Sequence, residues 1–195
     1  MKKNEELVAE MDSLEEKTLH TEKIFSGNVI ALQVDDVELP NGEKSKREIV
    51  KHPGAVAIIP FSADGGMYLV EQYRKPLEKT IIEIPAGKME LGEDPLVTAR
   101  RELEEETGFQ SDDLTYLTSF YTSPGFANEL LHIYVARDLR KMEQPLAQDA
   151  DEFINLVKVT PDEAEQLIEQ QLIHDAKTMY AMQYWKMQLL IEENE

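Results

Sequence analysis

The 195-residue sequence has no cysteine. Disulfides, thiolate nucleophiles and cysteine-ligated zinc are therefore excluded. No apolar run approaches the ~20 residues that a membrane-spanning helix needs. Met1-Lys2-Lys3 leads into Asn4-Glu5-Glu6 and not into an apolar segment, so no secretory signal is visible. These absences give a cytoplasmic protein as the expectation. Positive charge is also scarce, with 20 Lys and Arg against 39 Asp and Glu and a formal net charge of −19. Such an excess disfavours nucleic-acid backbones and anionic membranes as partners. It also repels any phosphorylated substrate unless a local cation reverses the field, and bound metal is the obvious candidate. The alternative is that the acid only keeps the surface soluble. The four histidines, His20, His52, His132 and His174, stand singly and read as structural or surface residues.

What is present suits one domain of ordinary size, because 42% of the residues are hydrophobic, enough for a core. Residues 5–16 form a short amphipathic stretch, with Leu7, Val8, Met11 and Leu14 at helical spacing. From Lys17 to Arg74 the pattern reads as strands. Pro40-Asn41-Gly42 marks a tight hairpin, with the return strand at about Ser45–Lys51. Ala55–Phe61 is a continuous apolar run, expected as a strand buried on both faces. Further strands are expected at Met67–Tyr73, Thr80–Pro85, Leu114–Tyr121, Leu130–Ala136 and Ile154–Val159. Pro85-Ala86-Gly87 begins a loop, and Arg137–Asp151 is a polar loop. The clearest helix has Asp94 as N-cap, Pro95 in first position and Gly108 as its stop. Two helices end the chain, from Pro161 and from Asp175, the last with Tyr180, Tyr184, Trp185 and Leu189 on its core face. The order gives an α+β or sandwich reading.

The chemistry concentrates in Arg101-Glu102-Leu103-Glu104-Glu105-Glu106-Thr107-Gly108-Phe109. At ~100° per residue, Glu102, Glu105 and Glu106 fall within an arc of about 100°, while Leu103 points to the core. Like charges at this spacing repel, and near a helix C-terminus the dipole disfavours them further. The cluster is unfavourable unless something positive binds it, and oxygen ligands select Mg²⁺ or Mn²⁺. A solvated acidic face is the ordinary alternative. Arg101 lies one turn before Glu105, placed to orient it without covering the metal face. Glu93 is placed to pair with Arg101, and Gly87 sits in a loop that brings backbone close to a ligand.

Gly87, five residues, Glu93, seven residues and the segment Arg101 to Phe109 together match the Nudix box. The chain resembles the ADP-ribose pyrophosphatase branch of that superfamily from roughly Glu16 to Gln188. Arg47-Glu48, Gln72-Tyr73-Arg74, Glu83-Ile84-Pro85-Ala86-Gly87 and Ser123-Pro124-Gly125-Phe126 carry this wider likeness. The resemblance implies the Nudix fold, an α/β/α sandwich around a mixed sheet with an N-terminal antiparallel sheet. Residues 1–50 would serve dimerisation by strand exchange, and residues 51–195 would be the hydrolase domain. It implies cleavage of ADP-ribose into AMP and ribose 5-phosphate by water activated on two or three Mg²⁺ ions, with Mn²⁺ as substitute. The implied metal ligands are the Ala86 carbonyl and the carboxylates of Glu102, Glu106 and Glu152, with Glu105 further or shared. Arg47, Glu48, Arg74, Ala86, Gly87, Met89, Pro124, Gly125, Phe126 and Glu129 fall on the substrate side. Relatives in this branch usually carry a Glu-x-Glu pair where this chain has Ala150-Asp151-Glu152, so the general base passes to Asp149, Asp151 or Glu105. Another nucleotide sugar as substrate, or an ADP-ribose-binding module that does not cut, are the rival readings.

Overall fold

The computed structural model describes residues 14–148, 152–192 and 194. The expected N-terminal helix falls almost wholly outside the described residues. The chain divides into two compact units. One runs up to Pro53 and includes Tyr121–Glu129; the other comprises Gly54–Phe120 and everything from Leu130 onward.

The first unit is built on an antiparallel sheet in the order β1 (Lys17–Ser26), β2 (Ala31–Glu38), β3 (Lys44–Lys51). The β2–β3 hairpin closes with Glu38 opposite Lys44. Its turn differs from the two-residue Asn-Gly form, because Gly42 has φ 84° while Asn41 is not among the residues with positive φ. Proline fixes φ near −65°, so Pro40 enforces a turn of ordinary hand and leaves the left-handed step to the glycine after it. Segment 121–129 joins the far edge of this sheet. The Val50 N–H donates to the Phe126 carbonyl at 2.7 Å, and the Asn128 N–H donates to the Val50 carbonyl at 3.2 Å.

The second unit centres on a four-stranded sheet in the order β7 (Ala86–Lys88), β4 (Ala55–Pro60), β10 (Leu130–Arg137), β9 (Asp113–Tyr121). β4 runs parallel to β10 and antiparallel to β7, so the sheet is mixed. Alternation along the apolar run of β4 gives each face its own cover. Val56 and Ile58 pack with Ala99 and Leu103 of helix α1 (Pro95–Thr107). Ala57 and Ile59 join the larger core cluster, which includes Ala164 of α2 (Pro161–Glu169) and Ala181, Met182 and Trp185 of α3 (Ala176–Glu192). Full burial of a side chain such as Leu103 contributes about 2 kcal/mol. A three-stranded sheet, β12 (Ile154–Val159), β5 (Met67–Arg74), β6 (Lys79–Glu83), completes the layers together with the small pair β8 (Phe109–Gln110) and β11 (Arg140–Lys141).

Three readings of the sequence are corrected. Ala86–Lys88 is a short strand paired to β4, with Gly87 opposite Val56. The polar stretch after Arg137 contains β11, paired to β8. Trp185 is buried as expected, but Tyr180 lies 37% exposed at the rim of the core, against Phe120.

Candidate active site

Helix α1 presents the acids, and its ends are fixed by local chemistry. The Asp94 carboxylate accepts the Leu96 N–H at 2.8 Å, and Gly108 closes the helix at φ 71°. Between these caps the four glutamates divide by face. Glu102 and Glu106 are buried, at 7% and 3% exposure. Glu104 is also buried but points elsewhere, accepting the Gln110 side-chain amide at 2.6 Å and the Leu146 N–H at 3.1 Å. It therefore anchors the polar loop to the helix and stands half a turn away from Glu102. The sequence offered no signal for that role beyond helical phase.

Strand β7 lies directly against this acidic face. The Ala86 N–H donates to Glu106 at 2.9 Å. Gly87 faces Glu102 so closely that a Cβ built on it would stand 1.9 Å from the Glu102 carboxyl carbon. No side chain fits there, which accounts for the glycine. The Pro85 carbonyl accepts the Ile58 N–H at 2.8 Å, so the approach to β7 is tied to the core strand.

Arg101 grips more than Glu105. One guanidinium nitrogen donates to Glu102 at 2.7 Å and to Glu105 at 2.9 Å; the other reaches Glu93 at 3.5 Å. The expectation that it would leave the metal face uncovered is corrected, because Glu102 and Glu105 point into the same space and one cation serves both.

Electrostatics follow from this crowding. Burial raises the Glu102 pKa to about 7, against the pull of Arg101 and with help from Glu105 and Glu152. Burial raises Glu106 to about 8, only partly offset by the Ala86 N–H and reinforced by Glu102 and Glu152. Glu152 thus acts on both acids. Among the described residues no three acidic, histidine or cysteine side chains converge tightly enough to ligate one ion. The donor set nonetheless fits a hard divalent cation. Two buried carboxylates repel each other beside the backbone of Ala86 and Gly87, and their donors are oxygen.

A pH signature follows. The two folded-state values lie above those of the unfolded chain, so the unfolded state ionises first as pH rises. Their contribution to stability is fully present below about pH 4.5 and is lost as pH climbs through about 7 and 8. Metal-free protein is expected to melt at progressively lower temperature from pH 5 to 9 on this account. Millimolar Mg²⁺ should oppose the fall, since bound metal selects the ionised acids. Calorimetric melts with chelator and with metal check both slopes.

The remaining expected residues divide between the two units. In the second unit, Arg74 makes a two-pronged bond to Glu83, at 2.7 and 2.8 Å. Its field also reaches Glu106. Met89 packs with the cluster under α1. In the first unit, Arg47 on β3 donates through Nε to Glu16 at 2.7 Å and through Nη1 to Ser45 at 2.9 Å, while Glu48 is exposed. Pro124, Gly125 and Phe126 form an exposed turn. Glu129 accepts the Thr122 hydroxyl and lies 3.7 Å from His52. Asp149 and Asp151 lie outside the described residues.

A mixed sheet lies between helices, with the carboxylate-rich helix α1 set against the backbone of Ala86 and Gly87. The NUDIX domain model matches residues 51–182, and the chain belongs to the Nudix family. It is 60% identical over 174 residues to the methanol dehydrogenase activator of Bacillus methanolicus, covering 89% of this chain and 94% of that protein. It is 57% identical, with the same coverage, to the ADP-ribose pyrophosphatase of Bacillus subtilis (strain 168). A crystal structure of an ADP compounds hydrolase superposes with a TM-score of 0.78, at 24% identity, over 92% of this chain and 96% of that one, and this likeness speaks to the fold. No described helix is long and apolar enough to cross a membrane.

Proposed function

We propose that this protein hydrolyses the diphosphate of ADP-ribose, releasing AMP and ribose 5-phosphate. The observation that carries the reading is the buried pair Glu102 and Glu106, pressed against the backbone of Ala86 and Gly87 with raised pKa values. Such a pair is costly in isolation and useful for holding divalent cations at a diphosphate. The named activity of the Bacillus subtilis relative supports ADP-ribose among the nucleotide sugars.

Nudix hydrolases of this kind need divalent metal, and Mg²⁺ is the ion proposed, two or three per site, with Mn²⁺ as substitute. The Ala86 carbonyl and the carboxylates of Glu102, Glu106 and Glu152 would hold it, with Glu105 further or shared. When bound, the ions supply Lewis acidity that acidifies water and neutralises charge on the phosphate oxygens. Water attacks one phosphorus in line, forming a new P–O bond as the bridging P–O bond breaks and the other phosphate leaves. Glu105, oriented by Arg101, or an acid of the segment holding Asp149 and Asp151, accepts the proton. Arg74 offers a planar cation to the diphosphate. Arg47, Glu48, Met89, Pro124, Gly125, Phe126 and Glu129 are proposed to meet the rest of the substrate.

Residues 1–50 are proposed to join two copies into a homodimer. β1 is exposed at every position, with Leu19, Ile24 and Phe25 each about half exposed, as a strand awaiting a partner would be. A nucleotide-sugar substrate also suits the cytoplasmic setting expected from the sequence.

A panel of nucleotide sugars incubated with Mg²⁺ and scored by product tests the substrate. Release of AMP from ADP-ribose is expected. Clean cleavage of another member of the panel with no AMP from ADP-ribose overturns the assignment, and binding without any turnover supports the non-cutting module instead.

A further inference from the structure

Glu83, on the strand leading to β7, is only 1% exposed. A carboxylate so placed needs counter-charge, and two cations converge on it. Arg74 donates through Nε to Oε1 at 2.7 Å and through Nη2 to Oε2 at 2.8 Å. Lys177, from the first turn of α3, donates to Oε2 as well. The same lysine donates to Asp175 Oδ1 at 3.0 Å. Asp175 Oδ1 also accepts the Thr178 N–H at 3.1 Å, whereas its Oδ2 is buried and accepts no hydrogen bond among the described residues. Beside these, the Ile84 N–H donates to the Thr178 hydroxyl at 3.0 Å. The first turn of α3 therefore grips both the Glu83 side chain and the backbone two residues before Ala86.

A lysine in the first turn of a helix stands at the positive end of the dipole, where acids are favoured. Helix chemistry does not account for it, but Glu83 does. Charge arithmetic gives its role. Glu83 and Asp175 carry two negative charges, and Arg74 and Lys177 carry two positive ones. With Lys177 the group is neutral; without it, Arg74 faces two acids alone and the group is net negative. Arg74 also feels Glu106.

We infer that Lys177 is a positioning residue: by sharing Glu83 it sets where the Arg74 guanidinium sits on that carboxylate and leaves that arginine's positive field available to an anionic diphosphate. The inference rests on the substrate reading above. Lys177 acts through Glu83 on Arg74 and itself touches neither substrate nor metal.

Lys177→Met, Lys177→Arg, Arg74→Lys and the double variant Lys177→Met/Arg74→Lys form the test. Displacing a substrate-orienting group by a fraction of an ångström costs roughly tenfold or more. Lys177→Met is expected to lower kcat/KM for ADP-ribose about tenfold, chiefly through KM, and Lys177→Arg to recover most of it. In the Arg74→Lys background the same change should cost less than about twofold, because coupled residues are not additive. A readout independent of turnover is the ¹⁵N–¹H resonance of Arg74 Nε in metal-free protein, expected sharp in the parent and Lys177→Arg and shifted or broadened in Lys177→Met. Additive losses, or an Arg74 resonance unchanged in Lys177→Met, overturn the inference. If the parent chain releases no AMP from ADP-ribose, the substrate reading fails instead. The resonance then decides on its own whether Lys177 holds Arg74.

Discussion

Replacing Glu106 by Gln is expected to abolish most turnover while making the metal-free protein more resistant to heat at pH 8. The two effects have one cause. Glu106 is 3% exposed and its pKa is driven up to about 8, chiefly by burial, with Glu102 and Glu152 adding repulsion. As an apo side chain it is a liability, and an uncharged isostere removes that liability while keeping an oxygen to accept the Ala86 N–H. As the proposed metal ligand it is expected to be required, because an amide neither carries charge to a divalent ion nor offsets the ion's field. A loss of several kcal/mol of transition-state stabilisation corresponds to about 10³-fold in kcat/KM. Glu102→Gln should follow the same pattern with a smaller gain in stability, since Arg101 already relieves part of its charge. Glu104→Gln supplies the contrast. Its carboxylate holds Gln110 and Leu146, so the change should weaken the fold modestly with little direct effect on the metal. Steady-state kinetics beside calorimetric melts separate the three. A Glu106→Gln protein that keeps full activity removes the basis for the metal site.

The second large effect is expected from Gly87→Ala, a change of one methyl. The added carbon would lie 1.9 Å from the Glu102 carboxyl carbon and 2.0 and 2.2 Å from its oxygens. Contacts this short force either the strand or the carboxylate to move. β7 is held to β4 through Ala57–Ala86, Val56–Gly87 and Ala55–Lys88, so Glu102 is the part that yields. Displacing one proposed ligand carboxylate by an ångström or more is expected to cost roughly 10²-fold in activity. Isothermal titration with Mn²⁺ should show weakened affinity in step. Gly65→Ala is the control: a Cβ there meets nothing within 4 Å, and its φ of +83° makes the change a strain on a turn that carries no proposed site residue. Equal losses at the two glycines would show that the close approach at Gly87 has no special role.

The parts of this molecule that were legible in its sequence are those whose chemistry is local. Asp94, Pro95 and Gly108 mark the ends of α1 because capping acts over one turn, and the acids between them show their shared face by helical phase alone. The strands of the main sheet announced themselves by apolar runs and alternation. Pairings between short distant segments left no such trace. Nothing local in Arg140-Lys141 points to Phe109-Gln110, and Ala86–Lys88 is too short to show a period. The turn at Pro40 was misjudged because the hairpin signal of Asn-Gly drew attention from the proline before it. In the candidate site, the sequence revealed which acids cluster and that Arg101 answers Glu105 and Glu93, but not how much further the cations reach. That Arg101 reaches Glu102 as well as Glu105, and that Lys177 reaches Glu83 from 94 residues away, depends on packing.

The grip of Thr178 on the Ile84 N–H has a practical consequence for anyone seeking the smallest working version of this protein. The acidic motif on α1 looks portable, as a cassette that any suitable scaffold could host. Here the segment feeding that cassette is fastened by a helix that begins almost at the end of the chain. Chains trimmed before Asp175 would lose the core contacts of Met182 and Trp185 and leave Glu83 with one cation. Grafts and truncations should therefore keep the terminal helix as part of the catalytic unit, and C-terminal fusions need a spacer that lets its first turn dock.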